Sequence, residues 1–134
     1  MLFGQQHVKR YVETDGAEGH EWQGTTALIL TTTGRRSGEP RSTPLIYQPH
    51  GDDYVVVASK GGAPEHPGWY LNLEADPEVA VQVRGDRFKA KARTASQEEK
   101  PELWQIMTRA WPAYEDYQRN TSREIPVVVL ERET

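Results

Sequence analysis

The amino-acid sequence predicts an α+β fold in which about six short, mainly antiparallel strands curl into a barrel beside three or four helices. Most of the strand-like segments are joined by short turns, the connection that antiparallel neighbours use. Six short strands would leave exposed edges unless the sheet curls toward closure. At 134 residues, and without an internal repeat, linker or low-complexity segment, the chain (residues 1–134) is expected to form one domain.

The N-terminal half of the sequence predicts a helix followed by three strands. Residues 2–13 carry apolar residues at helical spacing, and residues 16–24 are glycine-rich and polar like a loop, so residues 1–24 would form a helix-and-loop lead-in. Apolar and β-branched segments predict strands at 25–33, 41–49 and 54–59. Pro44 cannot donate a ladder hydrogen bond, so the second strand should lie at an edge or contain a bulge.

The C-terminal half predicts helices on either side of a hairpin. Pro67 suits the first turn of a helix that runs to about residue 75. Residues 78–85 and 87–95 alternate around a short turn, which is typical of a hairpin with one wet face. The S-x-x-E pattern from residue 96 predicts a capping box at the start of the next helix. The chain would continue with a break at Pro112, a second helical segment and a strand at 125–131.

Composition excludes several classes of function. The net charge of −4 and the pI near 5.6 argue against nucleic acid as the main partner. No apolar run approaches the roughly 18 residues of a transmembrane helix, and the N-terminus lacks the pattern of a secretory signal, so we expect a cytoplasmic protein. There is no cysteine, and the four histidines are scattered, so we expect no metal site. Any redox chemistry should therefore come from an organic cofactor.

Two cationic turns are candidates for binding an anion. Arg35, Arg36 and Arg41 crowd the turn after the first strand, and arginine suits bidentate recognition of phosphate or carboxylate. The alternative is a solvated hairpin tip. Lys60, followed by two glycines at the end of the third strand, predicts a nest of backbone N–H groups, although such glycine pairs also serve only as turns. If the first and third strands are neighbours, both turns would lie at one end of the barrel.

Two further segments carry aromatic and polar side chains. In the helix after Pro67, the apolar residues are explained by core packing, but the amide of Asn72 could either cap a neighbouring backbone or bind a ligand. Tyr114 and Tyr117 lie three positions apart, on one face if the segment is helical. They could simply pack with their hydroxyls at the surface, or they could form a lid over a pocket.

Four sequence blocks, TTTGRRSGEPR, ASKGG, HPGWYLNLEADPEV and YEDY followed by REIPVVV, resemble the deazaflavin-dependent nitroreductase family of actinobacteria. The resemblance covers nearly the whole chain. It implies a split β-barrel that binds coenzyme F420, an 8-hydroxy-5-deazaflavin with a phosphodiester, a lactyl group and a glutamate tail. A poly-anionic ligand of this kind would explain both cationic turns.

The resemblance also implies which residues bind the cofactor. Those near its acidic end would be Arg35, Arg36 and Ser37. Those along its phosphate and ring edge would be Arg41, Ser42, Thr43, Pro44, Leu45 and Ile46. The cradle would be completed by Val57, Ala58, Ser59, Lys60 and Gly61. The other side would be closed by Gly68, Trp69, Tyr70, Leu71 and Asn72, and Tyr114 would border both the ring and the acceptor pocket. The candidate catalytic residues are Tyr114, Tyr117 and Ser59, whose hydroxyls could stabilise charge on the acceptor or relay a proton.

The expected reaction is hydride transfer from reduced coenzyme F420 to a planar, electron-poor small molecule such as a quinone, an activated alkene (enone) or a nitro compound. Two alternatives are an FMN-dependent split-barrel reductase and a non-catalytic deazaflavin carrier. Trp111, where some relatives have a third tyrosine, and Ile46, where an aromatic residue can occur, leave the acceptor range open. A monomer is favoured over a homodimer, and a lipid quinone would bring the protein to the membrane periphery.

Overall fold

The computed structural model describes residues 2–133. These residues form eight strands and four α-helices, with a short 3₁₀ turn at Lys60–Gly62, and they confirm the predicted α+β class. In chain order, the elements are α1 (Gly4–Glu13), β1 (Glu21–Trp22), β2 (Thr25–Thr33), β3 (Pro40–Ile46), β4 (Gln48–His50), β5 (Asp53–Val57), α2 (Gly68–Ala75), β6 (Glu78–Val83), β7 (Asp86–Thr94), α3 (Lys100–Ala110), α4 (Ala113–Arg119) and β8 (Val127–Arg132).

The strands form one curled antiparallel sheet. Its order is β1-β2-β6-β7-β8-β5-β4, and β3 also pairs with β2. Residues 40–50 act as one bent strand, because β3 pairs with β2 while β4, one residue further on, pairs with β5. This bend at Tyr47 brings the two ends of the sheet together. The predicted split β-barrel is confirmed, and Pro44 lies in the edge strand β3 as expected.

The direction of the strands decides where the two cationic turns lie. Along the path from β2 through β6, β7 and β8 to β5, every neighbouring pair is antiparallel, so β2 and β5 run in the same direction. Their C-terminal ends therefore lie at the same end of the barrel. The condition considered from the sequence, that the two strands are neighbours in the sheet, is not met, yet their common direction brings both turns to that end.

The differences from the predicted elements are local. The structure has two strands more than predicted. Strand β1 spans only two residues, which is too short for a hydrophobic pattern, and β4 is the end of the predicted strand 41–49, which the bend at Tyr47 divides into β3 and β4. Strand β1 lies in the segment 16–24 that was predicted as a loop. Strand β5 ends at Val57 rather than at residue 59, since the backbone turns into the 3₁₀ segment there. Strand β8 begins at Val127 rather than at residue 125.

The core has two parts, one inside the barrel and one between the sheet and the C-terminal helices. Strands β5 and β8 contribute to both: Val56 and Val128 face the barrel interior, and Val55 and Val127 pack against α3 and α4. Burial of both faces explains why these strands have uninterrupted apolar sequences. The part of the chain that the structure describes contains no helix long and apolar enough to cross a membrane.

The capping box before α3 is confirmed. The backbone N–H of Ser96 donates to Glu99 Oε1 at 2.8 Å, and the N–H of Glu99 donates to Ser96 Oγ at 3.3 Å. Glu99 also accepts hydrogen bonds from Arg93, which together with the Ser96 N–H hold its pKa down at about 2. The box fixes the start of α3, whose buried Leu103 and Met107 pack on the sheet.

Candidate cofactor and acceptor site

Two adjoining cavities open at the barrel end where β2 and β5 terminate. The larger, here called the apolar cavity, has a volume of about 450 Å³ and is bounded by β3, the end of β5, α4 and the N-terminal segment. The smaller, the cationic cavity, has a volume of about 400 Å³ and is bounded by the turn after β2, the start of β3 and the first residues of α2. Thr43 and Trp69 line both, so the two cavities form one continuous groove.

The cationic cavity holds the three arginines that the sequence singled out. Arg35, Arg36 and Arg41 all line it. None of them forms an ion pair with a carboxylate among residues 2–133, so their charges are not neutralised locally. Guanidinium groups in this state are suited to phosphate and carboxylate groups of a ligand.

Asn72 braces one of these arginines. Its Oδ1 accepts hydrogen bonds from the backbone N–H of Arg35 at 3.2 Å and from Arg35 Nη1 at 2.8 Å. Its Nδ2 donates to Thr32 Oγ1 at 3.2 Å, which anchors the buried amide to β2. Asn72 thus caps the backbone N–H of Arg35, one of the two roles considered, and because it also lines the cationic cavity its ligand-binding role stays a prediction. The guanidinium of Arg35 is held at the wall of the cationic cavity as a result.

The loop after β5 has the geometry of an anion-binding nest. Ser59 is in the right-handed helical conformation (φ −82°, ψ −39°), and Lys60 and Gly61 follow with φ of 46° and 62°. Right-handed residues followed by left-handed ones turn successive N–H groups toward one side. A Cβ atom at Gly61 would meet nothing within 4 Å, so the backbone is open to the groove. Lys60 Nζ donates to Glu65 Oε1 at 3.0 Å, which lowers the pKa of that carboxyl group.

Arg123 fixes this loop and was not predicted as a site residue. Its guanidinium donates to the carbonyls of Ala58 (3.1 Å), Ser59 (2.8 Å) and Ala63 (3.1 Å), and to Nδ1 of His66 (3.0 Å). Burial lowers the pKa of Arg123, although an arginine remains charged. One side chain thus spans both ends of the Ser59–Gly62 turn.

Gly62 and Gly61 give a matched test of how tightly this turn is packed. A Cβ atom at Gly62 would lie 2.6 Å from the carbonyl oxygen of Tyr117 in α4, whereas one at Gly61 would meet nothing within 4 Å; both residues have positive φ. We expect Gly61→Ala to cost ~1–2 kcal/mol of stability, from backbone strain alone. Gly62→Ala should cost a further ~1–3 kcal/mol, from overpacking. Denaturant unfolding measures the free energy of unfolding of both variants. Equal decreases would show that α4 shifts to make room for the extra methyl group at Gly62.

The acceptor end of the apolar cavity is lined by aromatic residues of α4 and of the turn before it. Tyr114 is buried at 5% exposure, and its hydroxyl makes no hydrogen bond with any residue between 2 and 133. Burial raises the pKa of Tyr114, and the neighbouring Tyr117 raises it further, so the Tyr114 phenol stays protonated. Trp111 Nε1 donates to Tyr117 Oη at 3.5 Å, and the two tyrosine rings lie 6.1 Å apart. Tyr114 therefore offers an available hydrogen-bond donor in an apolar wall.

The N-terminal segment supplies the opposite wall, which the sequence did not reveal. Phe3, His7 and Trp22 line the apolar cavity. His7 Nε2 donates to the carbonyl of Gly19 at 2.8 Å, and the ring of His7 stacks on Trp22 with centroids 6.2 Å apart. Trp22 in turn lies 5.8 Å from Trp111, so two tryptophans from distant parts of the sequence meet at the cavity.

The structure brings together nearly all of the predicted cofactor-binding residues. Each lines one of the two cavities except Ala58, Tyr70 and Leu71. Ala58 is fully buried in the barrel core, the Tyr70 hydroxyl lies 2.7 Å from Thr94 Oγ1, and Leu71 is half-buried on α2. The predicted catalytic residues Ser59, Tyr114 and Tyr117 all line the apolar cavity.

The comparison with known families agrees with this geometry. The sequence model of the F420H(2)-dependent quinone reductases matches residues 3–132. The chain belongs to this family. An F420H(2)-dependent quinone reductase of Mycobacterium tuberculosis (strain ATCC 25618 / H37Rv) is 45% identical over 131 residues, covering 94% of this chain and 87% of the relative. The solved structure of an F420-H2 dependent reductase, FDR-A, is 40% identical, with a TM-score of 0.73 over 78% of this chain and 93% of that one.

Membership of the F420H(2)-dependent quinone reductase family establishes the cofactor and the class of reaction. The predicted coenzyme F420 and the predicted oxidoreductase activity are confirmed. The FMN-dependent alternative and the non-catalytic carrier are set aside. The arginine-lined cavity, the nest at Ser59–Gly61 and the apolar residues of β3 fit a ligand with an acidic tail, a phosphodiester and a planar ring.

The predicted preference for a monomer is wrong. A solved structure that is 37% identical to this chain is a domain-swapped dimer; it matches 95% of this chain and 96% of that one, with a TM-score of 0.76. Oligomeric state depends on which surfaces a second copy covers, and a surface of this kind leaves no distinct pattern in one sequence.

Proposed function

We propose that this protein transfers a hydride from reduced coenzyme F420 to small planar quinones that bind in the apolar cavity. The observation that carries the proposal is the continuity of the two cavities, one cationic and one apolar, with a Tyr114 hydroxyl in the apolar wall that hydrogen-bonds to none of residues 2–133. A ligand with a charged tail and a flat ring needs this arrangement of charge and apolar surface.

The cofactor would lie along the groove with its acidic tail in the cationic cavity. Arg35, held by Asn72, would bind the tail together with Arg36. Arg41 and Lys60 would hold the phosphate, beside the amide groups of the nest. The ring would lie against β3, whose outer edge pairs with no other strand in the described part of the chain.

The acceptor would lie between that ring and the aromatic wall. When bound, the cofactor supplies a hydride to an electron-poor acceptor, which builds negative charge on the acceptor oxygen. The protonated phenol of Tyr114 would donate a hydrogen bond to this oxygen, and Ser59 offers a second hydroxyl in the same cavity. Trp22 and Trp111 would stack on the planar acceptor and exclude water. Enones and nitro compounds of similar shape are proposed as secondary acceptors.

We further propose that the protein forms a domain-swapped homodimer, as does its 37% identical structural relative. We also propose that a quinone with an apolar tail would bring it to the membrane periphery, because the tail would remain in the lipid. Both statements concern properties of the assembly and do not affect the assignment of the groove.

Cofactor binding tests the groove directly. Coenzyme F420 should bind at least about tenfold more tightly than FMN, a difference of ~1.4 kcal/mol, because FMN lacks the acidic tail. Arg41→Ala and Lys60→Ala should each weaken F420 binding roughly 10- to 100-fold, since hydrogen bonds to charged groups contribute ~1.5–3 kcal/mol. Lys91→Ala removes an exposed lysine that lines neither cavity and serves as the control. Fluorescence titration at several salt concentrations measures all of these affinities.

Steady-state kinetics test the reaction itself. With reduced coenzyme F420 and menadione, turnover should be saturable in quinone, and Trp22→Ala should raise the KM for menadione more than it lowers kcat. FMN binding as tight as F420 binding would contradict the cofactor assignment. Tight F420 binding without quinone turnover would contradict the acceptor assignment alone.

A further inference from the structure

The N-terminal segment, residues 2–22, is held together by its own hydrogen bonds and is here called the lead-in unit. His7 Nε2 donates to the carbonyl of Gly19, and Trp22 Nε1 donates to the carbonyl of Leu2 at 2.8 Å. The backbone N–H of Gly16 donates to the carbonyl of Tyr11 at 2.8 Å. These bonds tie both ends of α1 to the loop and to β1. The segment can therefore move as one body without losing its own contacts.

The lead-in unit makes many non-covalent contacts with the barrel, but the polypeptide chain joins the two only at the turn between β1 and β2. The hydroxyl of Tyr11 donates to the carbonyl of Ala27 at 2.9 Å and accepts from the N–H of Arg84 at 2.8 Å. Gln5 Nε2 donates to the carbonyl of Ser42 at 2.9 Å. All of these partners lie outside the unit. A second copy of the chain would present the same partners to a lead-in unit that reached it.

The connection is a two-residue turn in a strained conformation. Gln23 and Gly24, between β1 and β2, have φ of 48° and 81°. A left-handed conformation is unfavourable for a residue with a side chain, here Gln23, because its Cβ comes too close to the following carbonyl oxygen. Straightening this turn would relieve that strain and would let β1 continue into β2 as one strand. Short hinge loops under strain favour exchange between copies.

We propose that the lead-in unit is the element exchanged in the dimer, so that each apolar cavity is completed by the partner's lead-in. The inference rests on the proposed dimer and adds which segment is exchanged and what the exchange does. Phe3, His7 and Trp22 belong to this unit and line the cavity, so the acceptor pocket would be composed of two chains. Strand β8 is the less favourable candidate, because it lies between β7 and β5 and contributes to both core clusters.

Disulfide trapping can identify the exchanged segment, because the chain has no cysteine of its own. Glu21 and Thr26 are directly opposed across β1 and β2. Oxidised Glu21→Cys/Thr26→Cys protein should give a covalent dimer on a denaturing, non-reducing gel if β1 pairs with the partner's β2. Glu78→Cys/Lys91→Cys, across the β6–β7 hairpin, should give only intrachain bonds. Lys91→Cys/Glu131→Cys, across β7 and β8, would be interchain only if β8 is exchanged.

Light scattering on the same samples separates the two proposals. A dimer whose Glu21→Cys/Thr26→Cys bond is intrachain would overturn the assignment of the lead-in unit but leave the dimer standing. A monomer in solution would overturn the dimer itself. An interchain Lys91→Cys/Glu131→Cys bond would assign the exchange to β8 instead.

A hinge variant provides an independent measurement. A Cβ atom at Gly24 or at Gly51 would meet nothing within 4 Å, and both glycines have positive φ in two-residue turns between strands. Gly24→Val should raise the dimer fraction at low protein concentration several-fold, since an opened hinge removes the strain. Gly51→Val, in the β4–β5 turn, carries a similar strain and should leave the fraction unchanged. Equal effects of the two substitutions would contradict a hinge at Gln23–Gly24.

Discussion

Replacing Arg123 with alanine is expected to raise the KM for reduced coenzyme F420 about 100-fold, equivalent to ~2.7 kcal/mol of binding, while kcat at saturating cofactor falls by less than about threefold. The guanidinium holds three carbonyls and His66 around the Ser59–Gly62 turn, so its removal loosens the nest that would bind the phosphate. Arg123 lines neither cavity. It would therefore act as a positioning residue, and its loss should be seen in cofactor affinity rather than in the hydride step.

Two further substitutions make the Arg123 experiment specific. Arg123→Lys keeps the charge but cannot reach all four partners, so it should restore only part of the affinity. Arg132→Ala removes another arginine, paired with Asp86 and stacked on Phe88 away from both cavities, and should leave the KM for the cofactor unchanged. Normal cofactor affinity in Arg123→Ala would mean that the packing of Gly62 against α4 is sufficient to hold the loop.

The fold was largely predictable because its signals are local. Turn residues, the capping box at residue 96 and the alternation in the β6–β7 hairpin each depend on neighbours in the sequence. The order of the strands was not predictable in the same way. Strand β8 is last in the chain but lies in the middle of the sheet, and β2 and β5 are separated by three strands although the two cationic turns share one end.

The predicted part of the site was likewise the part encoded in short segments. The turn with three arginines and the SKGG segment are each continuous in sequence and stand out in an acidic chain. The rest depends on contacts between distant segments. Trp22 meets Trp111 only because the lead-in unit folds back over β3, and Arg123 reaches the loop only because β8 pairs with β5. An arginine before a strand or a tryptophan in a loop carries no such information by itself.

The resemblance of the whole chain to a known family resolved what individual residues left open. The residues allowed a solvated hairpin tip, a simple Gly-Gly turn and surface tyrosines as alternatives. The structure gives the Gly-Gly turn the conformation of a nest and shows Tyr114 buried and Tyr117 half-buried, while their roles in binding stay predictions. For the first, the bonds from Asn72 hold Arg35 at the wall of the cationic cavity, which a freely solvated tip would not require, and anion binding by the three arginines stays a prediction. Asn72 was explained by geometry alone, since its two bonds to Arg35 could not be inferred from sequence.

The second large effect is expected at Tyr114. If its hydroxyl stabilises the charge that develops on the acceptor, Tyr114→Phe should lower kcat and kcat/KM together by something like 100-fold, with F420 affinity unchanged. Burial raises the pKa of this phenol, so it stays protonated between about pH 6 and 9. The ratio of the wild-type kcat to the Tyr114→Phe kcat should therefore be constant over that range. A group that titrated in this range would instead make the ratio depend on pH.

Tyr117→Phe is the matched control for Tyr114, because it removes a hydroxyl from the same helix and the same cavity. The Tyr117 hydroxyl already accepts a hydrogen bond from Trp111, and Tyr117 as a residue is more exposed than Tyr114, so we expect a smaller loss. Pre-steady-state measurement of cofactor oxidation, followed by its absorbance, reports the hydride step without product release. If Tyr114→Phe turns over normally with cofactor bound, the phenol is only a wall of the pocket. Tyr114→Ala should then raise the KM for the quinone, and catalysis would rest on the positioning of ring and acceptor by the barrel.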